Sequence, residues 1–204
     1  MKKIEVGEQT NLSDSSVELL KDVPEIVTSC LDGLTRVGDI VKSLNTFSRQ
    51  NNEDFSQINI NEVILSALKI VDSRANGNLE QELAPQLSLI TGNFGQLQQV
   101  LVNLLINAMD SIADNINGKV SITSYQDTEA IIVEVVDNGI GMDNKTLKRL
   151  FDPFFTTKPE GKGTGLGLSV SYAIMMKHKG LLSVKSKQDK GTQFTLTFPL
   201  VIEF

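Results

Sequence analysis

Four groups of residues have types and spacings suited to chemistry on a nucleotide. Asn103 and Asn107 stand one helical turn apart, so their amides share a face. A side-chain amide oxygen is a hard ligand for Mg2+, an ion that takes few protein ligands and keeps its waters. Val100, Leu101, Leu104, Leu105, Ala108 and Ile112 cover most of the remaining surface, and Gln99, Asp110 and Ser111 extend the polar strip. A solvated stripe is the alternative reading, although such stripes more often carry Lys or Glu. In "VVDNGIGM", residues 135–142, Asp137 ends an apolar run and can accept a hydrogen bond from an exocyclic amine. Gly139 and Gly141 would let a flat ring approach the backbone. Alone, the same residues are a turn signal. "LFDPFFTTK", residues 150–158, places three phenylalanines and Lys158 in a long loop. Loops of that length tend to be lids or disordered, and three phenylalanines seek apolar cover. Lys158 is a candidate phosphate partner, or simply a solvated lysine. Finally, "GKGTGLGLSV", residues 161–170, sets Gly163, Gly165 and Gly167 ahead of a helix start, where backbone N–H groups form an anion site.

Common phosphate motifs do not fit. A P-loop needs a glycine five positions before Gly161 and Ser or Thr after Lys162, and the chain has Thr156 and Gly163 there. The glycines run G-x-G-x-G late in the chain and after a loop, which differs from a dinucleotide fingerprint. There is one histidine and no G-x-S-x-G elbow, so nucleophile triads fail too.

The elements that position these groups can be read from periodicity. The polar residues 1–12 read as a frayed terminus. Ser15 and Glu18 have capping-box spacing, and Asp22 with Pro24 marks a second helix start. Val23, Val27, Cys30, Leu34, Val37, Val41 and Leu44 then alternate spacings of four and three, a heptad seam widened by Ile26, Leu31, Ile40 and Phe47. It reads either as a coiled-coil-like helix or as a helix packed within its own domain. A polar run at 48–57 marks the boundary, which divides the chain into 1–52 and 53–204. Beyond it the pattern predicts a strand at 58–60, a helix at 61–75 capped by Asn61, and one or two strands in 78–91. A helix at 94–115, a hairpin over 119–139, a loop at 142–163, a helix at 166–178 and two strands around a turn at Asp189–Gly191 follow. The fold class is therefore α+β: a two-layer α/β sandwich with helices on one face of a mixed sheet.

Composition narrows the function classes. The chain has 204 residues, 40% of them hydrophobic, and a formal net charge of −6. That balance argues against a broad nucleic-acid surface but permits a nucleotide. No apolar run is long enough to span a bilayer, and no signal peptide is visible. The single cysteine, Cys30, reads as a small buried hydrophobe and excludes an internal disulfide. These features fit a cytoplasmic setting, with any membrane anchor lying in other segments.

Taken together, the four groups resemble the catalytic, ATP-binding domain of sensor histidine kinases of two-component systems, within the superfamily that includes gyrase, Hsp90 and MutL. "QQVLVNLLINAMDSI" is similar to the N box of that family, "DNGIGM" to its first glycine box, "FDPFFTTK" to its F box and "GKGTGLGL" to its second glycine box. "GTQFTLTFP" is similar to its last strands, and the match covers about residues 55–200. The resemblance implies ATP and Mg2+ as ligands. Asn107 would coordinate the ion bridging the phosphates, with Asn103 beside it and Lys158 near the phosphates; these three form the catalytic set. Asp137 would bind the adenine amino group, Gly139 and Gly141 would shape the pocket, and Thr192 would line it. Residues 142–163 would be a lid anchored by its phenylalanines, and Gly163, Gly165 and Gly167 would cradle the triphosphate. The binding set further includes Asp110, Met142, Phe151, Phe154, Thr157, Thr164, Leu166 and Leu168.

The family transfers phosphate to a histidine on the first helix of a dimeric bundle, for relay to a response-regulator receiver domain. "LTRVGDIVKSLNTFSR" at 34–49 looks like the second bundle helix, and no helix with a histidine and a neighbouring acid precedes it. His178 lies in "MMKHKGLL" and reads as a helix-end residue. The acceptor is thus expected either upstream in a longer chain or on another protein, in a homodimer when complete. Two other readings stay open. A superfamily ATPase would need a water-activating carboxylate where Asn103 stands, and an amide is no base. A non-enzymatic module would use ATP as a conformational ligand and the heptad helix as a docking surface.

Overall fold

The computed structural model describes residues 55–75, 77–113, 115–159 and 163–200, together with isolated helical positions between 23 and 38. Two compact units are distinguished, Met1–Lys42 and Ser43–Phe204. In the first, the described positions from Val23 to Gly38 are helical, and the Thr28 hydroxyl donates to Pro24 O at 2.7 Å. Val23, Val27 and Cys30 share one stripe, and all three are exposed. The expectation of a buried Cys30 is therefore corrected: the residue is exposed, on the same stripe as Val23 and Val27. The capping box at Ser15 and Glu18, the Asp22 cap, the seam at Leu31, Leu34, Val37 and beyond, and the polar boundary before Phe55 lie outside the described residues.

The second unit begins with β1 (Ser56–Ile58), α1 (Ile60–Ala75), β2 (Leu79–Leu83), β3 (Ile90–Gly92) and α2 (Phe94–Ser111). It continues through β4 (Val120–Gln126), β5 (Ala130–Asp137), the short α3 (Asn144–Leu147), α4 (Gly167–Lys177), β6 (Leu181–Lys187) and β7 (Gly191–Pro199). Five strands form a mixed sheet in the order β2-β4-β5-β7-β6, with β2 parallel to β4 and the other pairs antiparallel. β1 and β3 pair separately. Alternation along the strands sends Ile122, Ile131, Val133, Val135, Phe194 and Leu196 inward, against helices on one face. The outer face carries Thr123, Glu134, Gln193, Thr195 and Ser183. The expected two-layer α+β sandwich is the observed fold.

α2 is the central helix. Leu97, Leu101, Leu104 and Leu105 are all at or below 1% exposure, and the helix packs on α1, α4 and the sheet. Truncating any of these leucines to Ala would cost about 3 kcal/mol or more in lost burial and cavity. Asn93 caps its N-terminus, its side chain accepting from Gln96 N at 2.8 Å. The helix ends at Ser111, four residues short of the expected limit, and turns follow at 112–113 and 116–117.

Two local expectations are revised. The first strand ends at Ile58, and Ile60 already opens α1. Asn59, rather than Asn61, supplies the first-turn acceptor, taking Asn61 N at 3.0 Å. Asn61 instead donates to Ala84 O and accepts from the Ser124 hydroxyl, tying α1 to the sheet. Residues 78–91 form two strands, and these enter different sheets.

Candidate nucleotide site

Strand register builds one end of the site. Asp137 on β5 faces Thr192 on β7, and Thr192 faces Ser186 on β6, so three polar residues lie in one row across adjacent strands. The Ser186 hydroxyl accepts from Met142 N at 2.9 Å and donates to Gly191 O at 2.9 Å, with the Thr192 hydroxyl 3.0 Å away. Asp137 is 5% exposed. Its Oδ1 accepts from the Ser111 hydroxyl at 2.8 Å and from Gly139 N at 2.9 Å. Burial pushes this carboxyl above the ordinary carboxylate value, while Ser111, Gly139 N–H and Thr192 N–H partly offset the rise.

Close backbone approach fixes the turn that follows. Gly139 lies against Ser111 of α2, and Ile140 N donates to Ser111 O at 3.2 Å. Gly141 has φ +59 and its α-carbon faces the Lys187 carbonyl, so a side chain there would be strained and would strike backbone. Asp189 N donates to Ile140 O at 2.7 Å, which closes the turn onto the β6–β7 connection. The row and the turn leave a buried carboxylate beside a glycine-lined surface, a setting that suits an amine on a flat heterocycle.

The other end is assembled across α2. Asn107 and Asp110 are three residues apart, and the Lys158 ammonium reaches both, at 3.1 Å to Asn107 Oδ1 and 2.6 Å to Asp110 Oδ2. Asn103 is engaged elsewhere: its Nδ2 donates to the buried Ser171 hydroxyl at 3.0 Å, and its amide lies against Gly167. It therefore docks α4 onto α2. Gly163 lies beside Thr156 and Lys158, and Gly165, with φ +66, is pressed onto the backbone of Phe154. Leu166 is buried at the start of α4, Leu166 N donates to the Thr164 hydroxyl at 3.3 Å, and no side chain caps that helix end. Its first-turn N–H groups thus point toward an anion-favouring position. Leu168 packs partly against the core, and Thr157 is exposed.

The phenylalanines of the long loop divide. Phe151 packs on the core and on the Tyr172 ring at 5.1 Å, and Phe155 carries the Arg149 guanidinium 4.5 Å over its ring. Phe154 has φ 66 and is 65% exposed, so it is corrected as an anchor of the lid. The backbone contact with Gly165 holds it outward. The loop is not without order, since α3 is capped by Asp143, whose side chain accepts from Thr146 N.

His178 ends α4 within hydrogen-bond reach of Ile174 O through Nδ1 (2.8 Å), while Nε2 accepts from Asn93 N at 2.9 Å. Phe55 stacks on its ring at 4.7 Å. Burial lowers its pKa. The ring is a neutral staple between the ends of two helices, as a helix-end reading expects.

Sequence reasoning missed Ser171 and Ser186, and placed Ser111 only on a polar strip. Ser186 becomes visible once strand register is known, because it pairs with Thr192. Ser171 sits one turn beyond Gly167 on the face that α2 covers, a position that periodicity alone leaves ambiguous.

Residues 92–202, more than half of the chain, match the family described as Histidine kinase-, DNA gyrase B-, and HSP90-like ATPase. The chain belongs to that family. Among curated relatives, it is 34% identical over 179 residues to the signal transduction histidine-protein kinase AtoS of Escherichia coli K12, covering 86% of this chain and 29% of AtoS. It is 35% identical over 170 residues to sporulation kinase A of Bacillus subtilis 168, covering 81% of this chain and 27% of that kinase. It therefore spans less than a third of these relatives. Among solved structures, the catalytic domain of histidine kinase ThkA superposes with a TM-score of 0.62 at 28% identity, covering 72% of this chain and 97% of that domain. ThkA in complex with the response regulator protein TrrA gives a TM-score of 0.66 at 26% identity, over 94% of this chain and 54% of that one.

Proposed function

We propose that this chain binds Mg–ATP and transfers the γ-phosphate to a histidine on another helix, as the catalytic region of a sensor histidine kinase. The observation that carries this reading is that α2 serves both ends of the site one turn apart. Ser111 holds Asp137, and Asn107 meets Lys158 four residues earlier. That offset is about 6 Å of helix rise, a short span that joins a base subsite to a phosphate subsite. Asp137 accepts the adenine amino group, with Gly139, Gly141, Met142 and Thr192 around the ring. The start of α4, with Gly163, Gly165 and Gly167, faces the phosphates.

Asn107 and Asp110 fit a metal ion, because their oxygens already hold a cation, the Lys158 ammonium, and are hard donors. When bound there, Mg2+ would supply charge neutralisation along the phosphates. The protein's own residues orient the nucleotide and direct α4 N–H groups and Lys158 at developing negative charge. Asn103 is an amide, which cannot act as the base that would activate water, and its hydrogen bond to Ser171 holds it against α4; both favour transfer over hydrolysis.

His178 is 8% exposed and has both ring nitrogens engaged, so the acceptor is a histidine elsewhere. By analogy with ThkA and TrrA, the phosphate passes on to a receiver aspartate. Residues 1–52 contribute part of a dimerising helix bundle, and residues 53–204 the catalytic domain.

The test mixes the chain with γ-labelled ATP, Mg2+ and a protein bearing an acceptor helix. Acid-labile label should appear on that protein and disappear with Asn107→Ala. Label on His178, or steady phosphate release without transfer, would overturn the reading.

A further inference from the structure

Asp110 is a puzzle at a triphosphate site, because a carboxylate repels phosphate. Its neighbours resolve it. One positive centre, Lys158 Nζ, rests on two oxygens: Asp110 Oδ2 at 2.6 Å and Asn107 Oδ1 at 3.1 Å. Both acceptors project from one face of α2, three residues apart on a largely buried helix, whereas the cation arrives on a loop. An amide oxygen beside a carboxylate oxygen is a donor pair that hard divalent ions accept, with water or phosphate completing the shell.

We propose that Asn107 and Asp110 form a single cation seat for which the Lys158 ammonium and the divalent ion of an incoming nucleotide compete. Lys158 is a tethered competitor: it fills the seat before the ion arrives and is released toward the phosphates when the ion takes its place. The proposal rests on the Mg–ATP reading of the site and adds to it the role of Asp110 and the displacement of Lys158.

Charge balance supports the exchange. With Lys158 seated, the Asp110 carboxylate is neutralised locally. A divalent ion entering while the ammonium stayed would meet a like charge within a few ångströms, so the two do not share the seat. The side chains of Lys158 and Asp110 are 33% and 45% exposed, and a pair that open to water is held weakly enough to be displaced. Lys158 N donates to the Thr156 hydroxyl at 3.1 Å, and Gly163 lies against both side chains. These contacts hold the Lys158 backbone and stem in place, so the exchange needs only the end of the side chain to swing from the seat.

The test titrates Mn2+ alone into the full chain without nucleotide and follows the free ion by electron paramagnetic resonance. Removing the competitor in Lys158→Met should tighten Mn2+ binding about tenfold, because a like charge has left the seat. Lys158→Arg, which keeps the charge, should stay near the parent chain, and Lys158→Met combined with Asp110→Asn should lose the gain. No gain in Lys158→Met, or a gain that survives Asp110→Asn, overturns the proposal. A second measurement needs no variant: Mn2+ should raise the rate at which an amine-acetylating reagent labels Lys158, read by peptide mass spectrometry. An unchanged rate counts against the exchange. Failure of ATP to bind would sink the nucleotide reading while leaving the Mn2+ result to stand, and ATP binding without Mn2+–lysine competition would do the reverse.

Discussion

At one end of the candidate site Asp137 is 5% exposed and fixed by the Ser111 hydroxyl and Gly139 N–H; at the other, Lys158 is one-third exposed and reaches its acceptors from a loop. The first end is made by strand register and by glycines pressed against backbone. Every group there is held by elements that belong to the core. The second end takes its acceptors from α2 but its cation from the part of the loop beyond Phe151, where most of the described residues are exposed. On the proposed reading, such a site offers the base a pocket that is already formed and the phosphates one that rearranges around them. Preorganisation lowers the cost of binding at the first end, and the second can respond to what is bound.

The contrast breaks most plainly at Asp137. Asp137→Ala should weaken ATP binding by about a hundredfold or more, the scale of a lost buried charge-assisted hydrogen bond. Isothermal titration with ATP measures it, and a loss under about threefold would place the base elsewhere. The raised pKa gives the pH dependence a sign. The carboxylate must be ionised to accept the amine, so affinity should fall on acidification at a higher pH than an ordinary carboxylate would dictate.

Glycine substitutions sharpen the difference between rigid and yielding ends. Gly141→Ala should lower stability by about 2–3 kcal/mol, because φ is +59 and the Lys187 carbonyl stands in the way. Gly163→Ala has side-chain atoms of Thr156 and Lys158 as its nearest neighbours, on an exposed loop and without a positive φ, and should cost less, about 1 kcal/mol. Thermal melts of the two variants should separate by several degrees. Equal losses would show that the loop is held as firmly as the sheet.

His178 tests whether the rigid end extends to the far side of α2 and α4. Its pKa is depressed by burial, so its stabilising contribution is present above the unfolded value of 6.5 and is lost as pH falls through the lower folded value. Melting temperature should therefore decline on acidification below about pH 6.5. His178→Gln should flatten that part of the profile at a cost of about 1–2 kcal/mol near neutral pH. The smallest effect belongs to Phe154. Being 65% exposed, Phe154→Ala should shift stability by less than about 0.5 kcal/mol. A larger loss in a melt would mean that the ring packs after all.

Much of the architecture was legible because strands alternate and helices repeat. The β4–β5 hairpin, α2 and the β6–β7 pair stand close to where periodicity places them. The start of α1 was not, because Asn59 and Asn61 are equal candidates as caps until the sheet claims Asn61 through Ala84 and Ser124. Nor could periodicity show that β2 and β3 join different sheets, since pairing depends on distant partners. At the site, residue types and order pointed to Asp137, Asn107 and Lys158. What they could not show was contact: that Asn103 spends its amide on Ser171, or that Asp110 shares a cation with Asn107. Those facts come from how α4 and the loop pack, which a one-dimensional pattern does not encode.

The contact between Gly165 and the Phe154 backbone has a further consequence. It brings the residue after Pro153 and the residue before Leu166 together at a neck, and Lys158, reaching Asn107 and Asp110, fixes the intervening stretch to α2 at a second point. The conformational cost of closing such a stretch rises only with the logarithm of its length. Inserting four glycine–serine residues between Pro159 and Gly163 should then cost less than about 1 kcal/mol. The neck separates a change of length beyond Lys158 from the strands and helices on either side of it.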